Sequence, residues 1–443
     1  MRELTASMQK HLEWMKEVYR HDEKIYLLYE NGIKNTFQTT LNPKPDGRTF
    51  VITGDIPAMW LRDSAAQVRT LLIFSREDEA IYRLISGVVR QQAEQILADP
   101  YANAFNDGPT GAHFMEDHTH MKDEVWERKY EVDSLCYPVQ LAYLLWKSSG
   151  RTDHLDQDFR KACHTIINVF RTEQLHGVAS EYRFERDEDQ EDRVVYETLP
   201  CGGLGNPVGV TGMTWSGFRP SDDACRYGYL IPSNMFAVVI LGYMSEIAQK
   251  IFDDGMLGQL ADQLAAQIDQ GIRKHGIVEH EAHGKVYAYE VDGLGNYLLM
   301  DDANVPSLLA IPYFGYGAAD DPIYLNTRRM LLSKDNPYYY EGRAVKGIGS
   351  PHTPENHVWP IALAVQGMTA LDPWERKEIY ELFKVIDAGT NLMHESVNAD
   401  NPDSFTRPWF SWANSMFAEF ILSINGIEIP GSPLKVKGME QQG

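Results

Sequence analysis

Six stretches of this chain are apolar on nearly every face of a helix, and each is preceded by a short polar or aromatic mouth. They are MWLRDSAAQVRTLLIF from Met59, YEVDSLCYPVQLAYLLW from Tyr130, ACRYGYLIPSNMFAVVILGYM from Ala224, MDDANVPSLLAIPYF from Met300, NHVWPIALAVQGMTAL from Asn356 and WFSWANSMFAEFIL from Trp409. Between them run segments apolar along one stripe and charged elsewhere: Glu77 to Asp99, Asp156 to Glu173, Met256 to His275, Asp321 to Ser333 and Pro373 to Asn391. Residues 4 to about 34 add another, with Leu4, Met8, Leu12, Met15, Val18 and Tyr19 on one face. A helix apolar all round belongs inside a fold, and an amphipathic one belongs outside. Six of each in alternation predict an all-α fold, an (α/α)6 toroid or six-hairpin barrel, forming one domain over residues 1–443. The spacing is too irregular for a sequence repeat but fits one helical hairpin per step. In such a ring the polar mouths converge on one concave face.

Small β-hairpin and loop insertions interrupt this pattern. Residues 36–53 carry turn signals at Asn42-Pro43 and Asp46-Gly47 and an extended piece from Thr49 to Ile52. Glu181 to Val195 is a charge run, read as a solvated loop or hairpin. Residues 201–217 are Gly-rich and predict a flexible loop that shapes a cleft; no Lys-Ser/Thr follows to make it a phosphate cradle. Gly276 to Asp292 predicts a β-hairpin turning at His283-Gly284.

Composition narrows the partners. Against 41 basic residues stand 63 acidic ones, a net charge of −22, which argues against nucleic acid and anionic membrane as partners. The balance suits a neutral or cationic ligand. Cys136, Cys163, Cys201 and Cys225 lack paired short spacing, lie in or near apolar segments, and are read as buried free thiols. The N-terminal segment is charged, without an apolar signal core. With no run of about 18 apolar residues to span a membrane, a cytoplasmic protein is expected. The oligomeric state stays open.

The mouths carry candidate chemistry. GDIPAMWLRDSAAQV, Gly54 to Val68, gathers Asp55, Trp60, Arg62 and Asp63 where a loop enters a helix. Carboxylates and guanidinium hydrogen-bond hydroxyls in fixed geometry, and indole stacks on the apolar face of a sugar. The alternative is a helix cap with Asp63 paired to Arg62. Asp222 and Asp223 precede another inner helix; adjacent carboxylates repel, so one pKa is expected to rise toward that of a general acid. The competing reading is a helix cap followed by a first-turn aspartate. Glu395, in NLMHESVNADNP, sits in a polar loop leading through Arg407, Trp409 and Trp412 into the last inner helix. In HFMEDHTHMKDEVWERKYEVD, His118 and His120 flank one residue, but no HExxH-like spacing is present, so no metal is expected and Asp133 is read as cleft lining. Asn304, His357 and Trp359 complete the ring of mouths.

GDIPAMWLRDSAAQV, RPSDDACRYGYLIPSN and LMHESVNADNP, in this order and across nearly the whole chain, resemble glycoside hydrolase family 125. The resemblance implies an exo-acting α-1,6-mannosidase on an (α/α)6 fold that inverts the anomeric centre and needs no metal or other cofactor. It assigns the general acid to Asp222 and the general base to Glu395, a choice over Asp223 that the residues alone do not make. The implied substrate is an α-1,6-linked manno-oligosaccharide or N-glycan fragment. Inversion would set the two carboxyl groups roughly 6.5–9.5 Å apart, leaving room for the water that the base activates. Two other classes live on such toroids. A sugar epimerase would call for paired histidines, and a non-catalytic glycan-binding protein would need no carboxylate pair.

Overall fold

The computed structural model describes residues 2–187 and 197–434. Outer and inner helices alternate along the chain. The first outer helix, Glu23–Asn35, precedes the first inner helix, Leu61–Val68, which continues as the 3-10 turn Arg69–Phe74. The next outer-inner pairs are Glu79–Ala98 with Val132–Ser149, Gln157–Glu173 with Ile231–Ile247, and Gly255–His275 with Ile311–Phe314. Pro322–Leu331 with Pro360–Thr369 and Pro373–Phe383 with Ser411–Ile424 complete the set. Each inner helix packs on the next, and the sixth returns to the first, so the ring closes.

Sequence sorts the two kinds by burial and by their first residues. Every residue of Leu61–Val68, Pro360–Thr369 and Ser411–Ile424 is buried. Gln157–Glu173 buries one stripe, including Phe159, Cys163, Ile166 and Phe170 at helical spacing. All six outer helices start on an aspartate whose carboxylate accepts from the first turn: Asp22, Asp78, Asp156, Asp254, Asp321 and Asp372. None of the inner helices has a side-chain cap; their N-caps are Trp60, Glu131, Leu230, Ala310, Trp359 and Phe410. Their first N–H groups bond instead to neighbouring loops, as Leu61 does to Asn103 O and Ile231 to Tyr289 O, and their positive dipole ends face the mouths.

Three inner helices, the first, third and fifth, enter directly from a two-residue strand held in a three-stranded antiparallel sheet. Met59–Trp60 pairs with Ala104–Phe105, Tyr229–Leu230 with Glu290–Val291, and His357–Val358 with Ser396–Asn398. The ring's seam joins the chain's beginning to its end. Ser411 donates its N–H to Thr53 O at 3.1 Å, and Gly54 bridges Phe410. The predicted hairpin is present as Ile277–His280 paired with Gly284–Tyr287.

Several expectations need correction. The N-terminal segment is two helices, Ala6–Val18 and Glu23–Asn35, because Asp22 caps a new start. The fourth inner segment forms only the turn Ile311–Phe314. Pro306 and Pro312 lack N–H groups, and the Leu308 and Leu309 N–H groups donate to the Asp301 carboxylate, each at 2.9 Å. The last outer helix stops at Phe383, ahead of Ala388, Gly389 and Asn391 in the left-handed region. One segment, Ile231–Phe252, does have the length and apolarity of a membrane span, yet here it is the third inner helix, packed between Val132–Ser149 and Gly255–His275. Cys201 is exposed, in a left-handed turn at φ 58°, while the other three cysteines are buried. Of the charge run, 188–196 lies outside the described residues; Glu185–Arg186 pairs with Asp117–His118.

Candidate active site

Segments entering all six inner helices contribute to one cavity of about 590 Å³. Trp60, Arg62 and Asp63 come from the first, Glu127 and Lys129 from the second, and Pro220 to Asp223 from the third. Asn304 comes from the fourth, Pro351 to Glu355 and Trp359 from the fifth, and Glu395, Arg407, Phe410 and Trp412 from the sixth. Asp222 and Glu395 thus rise from the third and sixth positions of a closed ring of six, diametrically across it.

Arg62 is the hub of one side. It is 3% exposed and has four carboxyl groups within 4 Å. Glu131 Oε2 lies 2.5 Å from Nη1, Asp222 Oδ1 3.1 Å from Nη2, Asp63 Oδ1 3.7 Å from Nε and Asp133 Oδ2 3.9 Å from Nη1. Asn103 Nδ2 also donates to Asp222 Oδ1 at 3.2 Å. One cation cannot balance four buried anions, and the pKa values follow. Burial alone would raise Asp222, but the Arg62 charge, a hydrogen bond from Glu131 and the Lys129 charge hold it down at about 2. Burial pushes Glu131 well above the carboxylate range, only partly offset by Arg62. It likewise lifts Asp63 and Asp133 to about 6 each, against Arg62.

Asp222 does not show the rise expected from repulsion by Asp223, because it faces Arg62 while Asp223 faces His352. Asp223 accepts from His352 Nδ1 at 3.0 Å and from Ser221 Oγ at 3.1 Å. Burial would lower His352, but the charge and hydrogen bond of Asp223 bring it up to about 10, with Glu395 and Asp222 adding to the effect. Neither aspartate caps a helix. Asp222 sits in a turn at φ 68°, a left-handed conformation rare outside glycine, closed by its N–H on Arg219 O at 2.9 Å.

The other side is built on Arg407, itself at φ 46°. Its Nε lies 3.1 Å from each Asp55 oxygen, and its Nη1 is 3.5 Å from Glu395 Oε1. Glu395 is 6% exposed, at the start of the turn into Ser396–Asn398. The preceding His394 ring stacks on Phe405 at 3.8 Å. Trp359 is fixed in the wall by its indole N–H on Thr353 Oγ1 at 2.9 Å.

Of the residues singled out in the sequence, Trp60, Arg62, Asp63, Asp222, Asn304, Trp359, Glu395 and Arg407 line the cavity. Three do not. Asp133 is fully buried behind Arg62 and accepts from Ser233 Oγ at 3.1 Å. His357 is a strand residue opposite Asn398 that supports the wall. Asp55 acts through Arg407. The Gly-rich loop 201–217 contributes nothing to the wall, since Gly205 and Gly228 pack on Trp215, and Gly209 on Gly293. His352, Lys129 and Glu131 were not singled out. His352 lies in the turn-rich GSPHTPEN loop, and its partner is 129 residues away. Glu131 is legible only as the N-cap of an inner helix.

His113 and His118 pair with Glu116 and Asp187 on the surface. Among the described residues, one group brings three ligating atoms within 4.8 Å: His280, His283 and Asp335, at the hairpin turn and outside the cavity.

Comparison with known proteins adds four findings. Residues 22–422 match the family model described as metal-independent alpha-mannosidase, GH125. The fission yeast Schizosaccharomyces pombe protein called meiotically up-regulated gene 157 protein is 40% identical over 444 residues, covering 95% of this chain and 86% of that one. A solved Streptococcus pneumoniae structure, a metal-independent α-mannosidase in a non-productive complex with α-1,6-mannobiose, is 46% identical, with a TM-score of 0.92 over 95% of this chain and 99% of that one. A bacterial glucoamylase bound to acarbose shares the fold alone, at 13% identity and a TM-score of 0.59 over 92% of this chain and 56% of that one.

Proposed function

This chain belongs to glycoside hydrolase family 125, the metal-independent α-mannosidases, and on that premise we propose that it removes terminal α-1,6-linked mannose from the non-reducing end of a manno-oligosaccharide or N-glycan fragment, with inversion. The observation that carries the reading is a single cavity lined by two carboxylates, Asp222 and Glu395, brought in by the third and sixth segments of the ring. The pneumococcal relative's complex with α-1,6-mannobiose supports the substrate class.

Asp222 gives a proton to the glycosidic oxygen. That oxygen takes the electron pair of the breaking C1–O bond. Glu395 removes a proton from a water molecule whose oxygen bonds C1 from the opposite face. Arg407 Nη1, 3.5 Å from Glu395 Oε1, holds the base in the cavity wall. Asp63 feels the charges of both Asp222 and Glu395 and lines the same cavity, where it can accept from hydroxyls of the terminal sugar. Trp60, Trp359 and Trp412 supply apolar wall for a sugar face. The −22 charge fits action on a neutral glycan.

The test is a pair of variants assayed with EDTA present. Asp222→Asn should lose at least about 10²-fold on α-1,6-mannobiose and recover part of that on an activated aryl α-mannoside, which departs with little protonation. Glu395→Gln should lose as much on both substrates, and azide should restore turnover as β-mannosyl azide. Proton NMR should detect β-mannose first; α-mannose appearing first would mean retention and would end the assignment.

A further inference from the structure

The proposed acid has no proton of its own in this site. Arg62 Nη2 and Asn103 Nδ2 both donate to Asp222 Oδ1, at 3.1 and 3.2 Å, which is the environment of an ionised carboxylate. Its neighbour is Glu131: Arg62 and Asn103 each donate to both carboxyl groups and hold them side by side. Glu131 Oε2 accepts from Arg62 Nη1 at 2.5 Å and from Ser134 Oγ at 2.6 Å, while Oε1 has Asn103 Nδ2 at 3.5 Å. The Glu131 side chain is 0% exposed, whereas that of Asp222 is 24% exposed and faces the cavity. A proton on Glu131 therefore reaches the cavity through Asp222.

We propose that Glu131 and Asp222 form a carboxyl pair holding one proton between them, and that Glu131 is the positioning residue that supplies the general acid. The proposal rests on Asp222 being that acid. In the step, the Glu131 Oε1–H bond breaks as an Asp222 O–H bond forms. The Asp222 O–H bond then breaks as the proton joins the departing glycosidic oxygen. The water proton taken up by Glu395 returns through solvent to the pair and restores it. The charged and titratable groups facing Glu131 are Arg62 on the first inner helix, Asp133 on its own helix, Glu127 and Lys129 on its approach, and Asp222 and Cys225 on the approach to the third. The two cations among them are shared: Arg62 faces Glu131, Asp133 and Asp222, while Lys129 is shared by Glu127 at 3.5 Å and Glu197 at 3.4 Å. With more carboxyls than cations, a retained proton is required by charge balance.

Glu131→Gln tests this. Glutamine can still donate to Asp222 but has no proton to yield, so Asp222 titrates alone beside Arg62. On α-1,6-mannobiose the basic limb of kcat/KM should move toward acid by at least about one pH unit, a tenfold or greater loss at neutral pH that recovers on acidification. On an activated aryl α-mannoside the rate should stay near wild type. Glu131→Asp should restore much of the basic limb. A Glu131→Gln limb at the wild-type position overturns the proposal, and so does an equal loss on both substrates at every pH, which is what a purely structural role predicts. Failure of the underlying reading looks different: Asp222→Asn would then show no dependence on leaving group. Where Glu131→Gln does not fold, the infrared difference between wild type and Glu131→Asp at pH 7 must contain a protonated-carboxyl band, and its absence overturns the proposal.

Discussion

Arg62→Met should destabilise the protein by an amount that depends on pH. The guanidinium is 3% exposed and faces carboxyl oxygens at 2.5, 3.1, 3.7 and 3.9 Å. At an effective dielectric constant of about 20, a unit-charge pair about 3 Å apart interacts by roughly 5 kcal/mol before desolvation is subtracted. Removing one partner of a buried pair typically costs about 3–5 kcal/mol, a large share of the roughly 5–15 kcal/mol by which a domain is stable. The site has an escape, which is to take up a proton. Arg62 now holds the folded pKa of Asp222 below its unfolded value, so Asp222 contributes stability above the unfolded pKa. Without Arg62 its folded pKa rises above the unfolded one, the native variant binds one more proton, and its stability is lost as pH rises through the new pKa. One extra proton makes the deficit grow by about 1.4 kcal/mol per pH unit, or up to about 2.7 kcal/mol from pH 5 to pH 7. Urea unfolding of both proteins at the two pH values measures this. The same deficit at both would mean that the carboxyls around Arg62 are not ionised through its charge, and the electrostatic account of the site would fall.

Gly54→Ala, at φ 138° with a Cβ that would lie 2.4 Å from Trp409 O, should cost at least about 1–3 kcal/mol by unfolding and lower kcat/KM by shifting Asp55; full stability would show that the seam has slack. Asp55→Asn should change stability by no more than about 1 kcal/mol, because the Asp55–Arg407 pair is partly exposed, yet reduce kcat/KM about tenfold or more by releasing Arg407 from Glu395; steady-state kinetics beside a melting curve separates the two. Burial raises Asp301 to about 8, so the native state keeps a proton that the unfolded chain loses near the ordinary carboxylate value. That contribution is present at acid pH and is lost as pH rises through about 8, and Asp301→Asn should flatten the decline of melting temperature up to pH 9.

The ring was readable because its two kinds of helix differ in periodicity, and that difference survives in a single sequence. The mouths were readable for the same reason: Arg62, Asp63 and Asn304 are polar residues ahead of or inside segments that are otherwise apolar. What failed were features decided by distant partners. Asp222 and Asp223 look like a mutually repelling pair until Arg62 and His352, 160 and 129 residues away, give each its own counter-ion. Glu131 looks like one more charge in WERKYEVD, and its burial depends on Arg62, Asn103 and Ser134 meeting around it. Asp133 follows it on the same helix, but Arg62 stands between it and the cavity. The fourth inner helix failed locally, since Pro306 and Pro312 were visible and deserved more weight than the apolar run around them.

The seam of the ring sets an order of events during synthesis. Arg62 and Asp63 leave the ribosome early, but the Thr53–Ser411 and Asp55–Arg407 contacts that close the circle need residues made more than three hundred positions later. Until the sixth inner helix, Ser411–Ile424, has emerged, the nascent chain holds an open arc whose apolar inner flank lacks its last neighbour, and Glu395 has no closed cavity to line. A ribosome-bound chain stalled before the sixth helix should therefore be inactive and a client for chaperones, and a few more residues should switch on hydrolysis abruptly. Joining the ends and opening the ring at an outer loop would move that moment, bringing Glu395 and Arg62 off the ribosome close together.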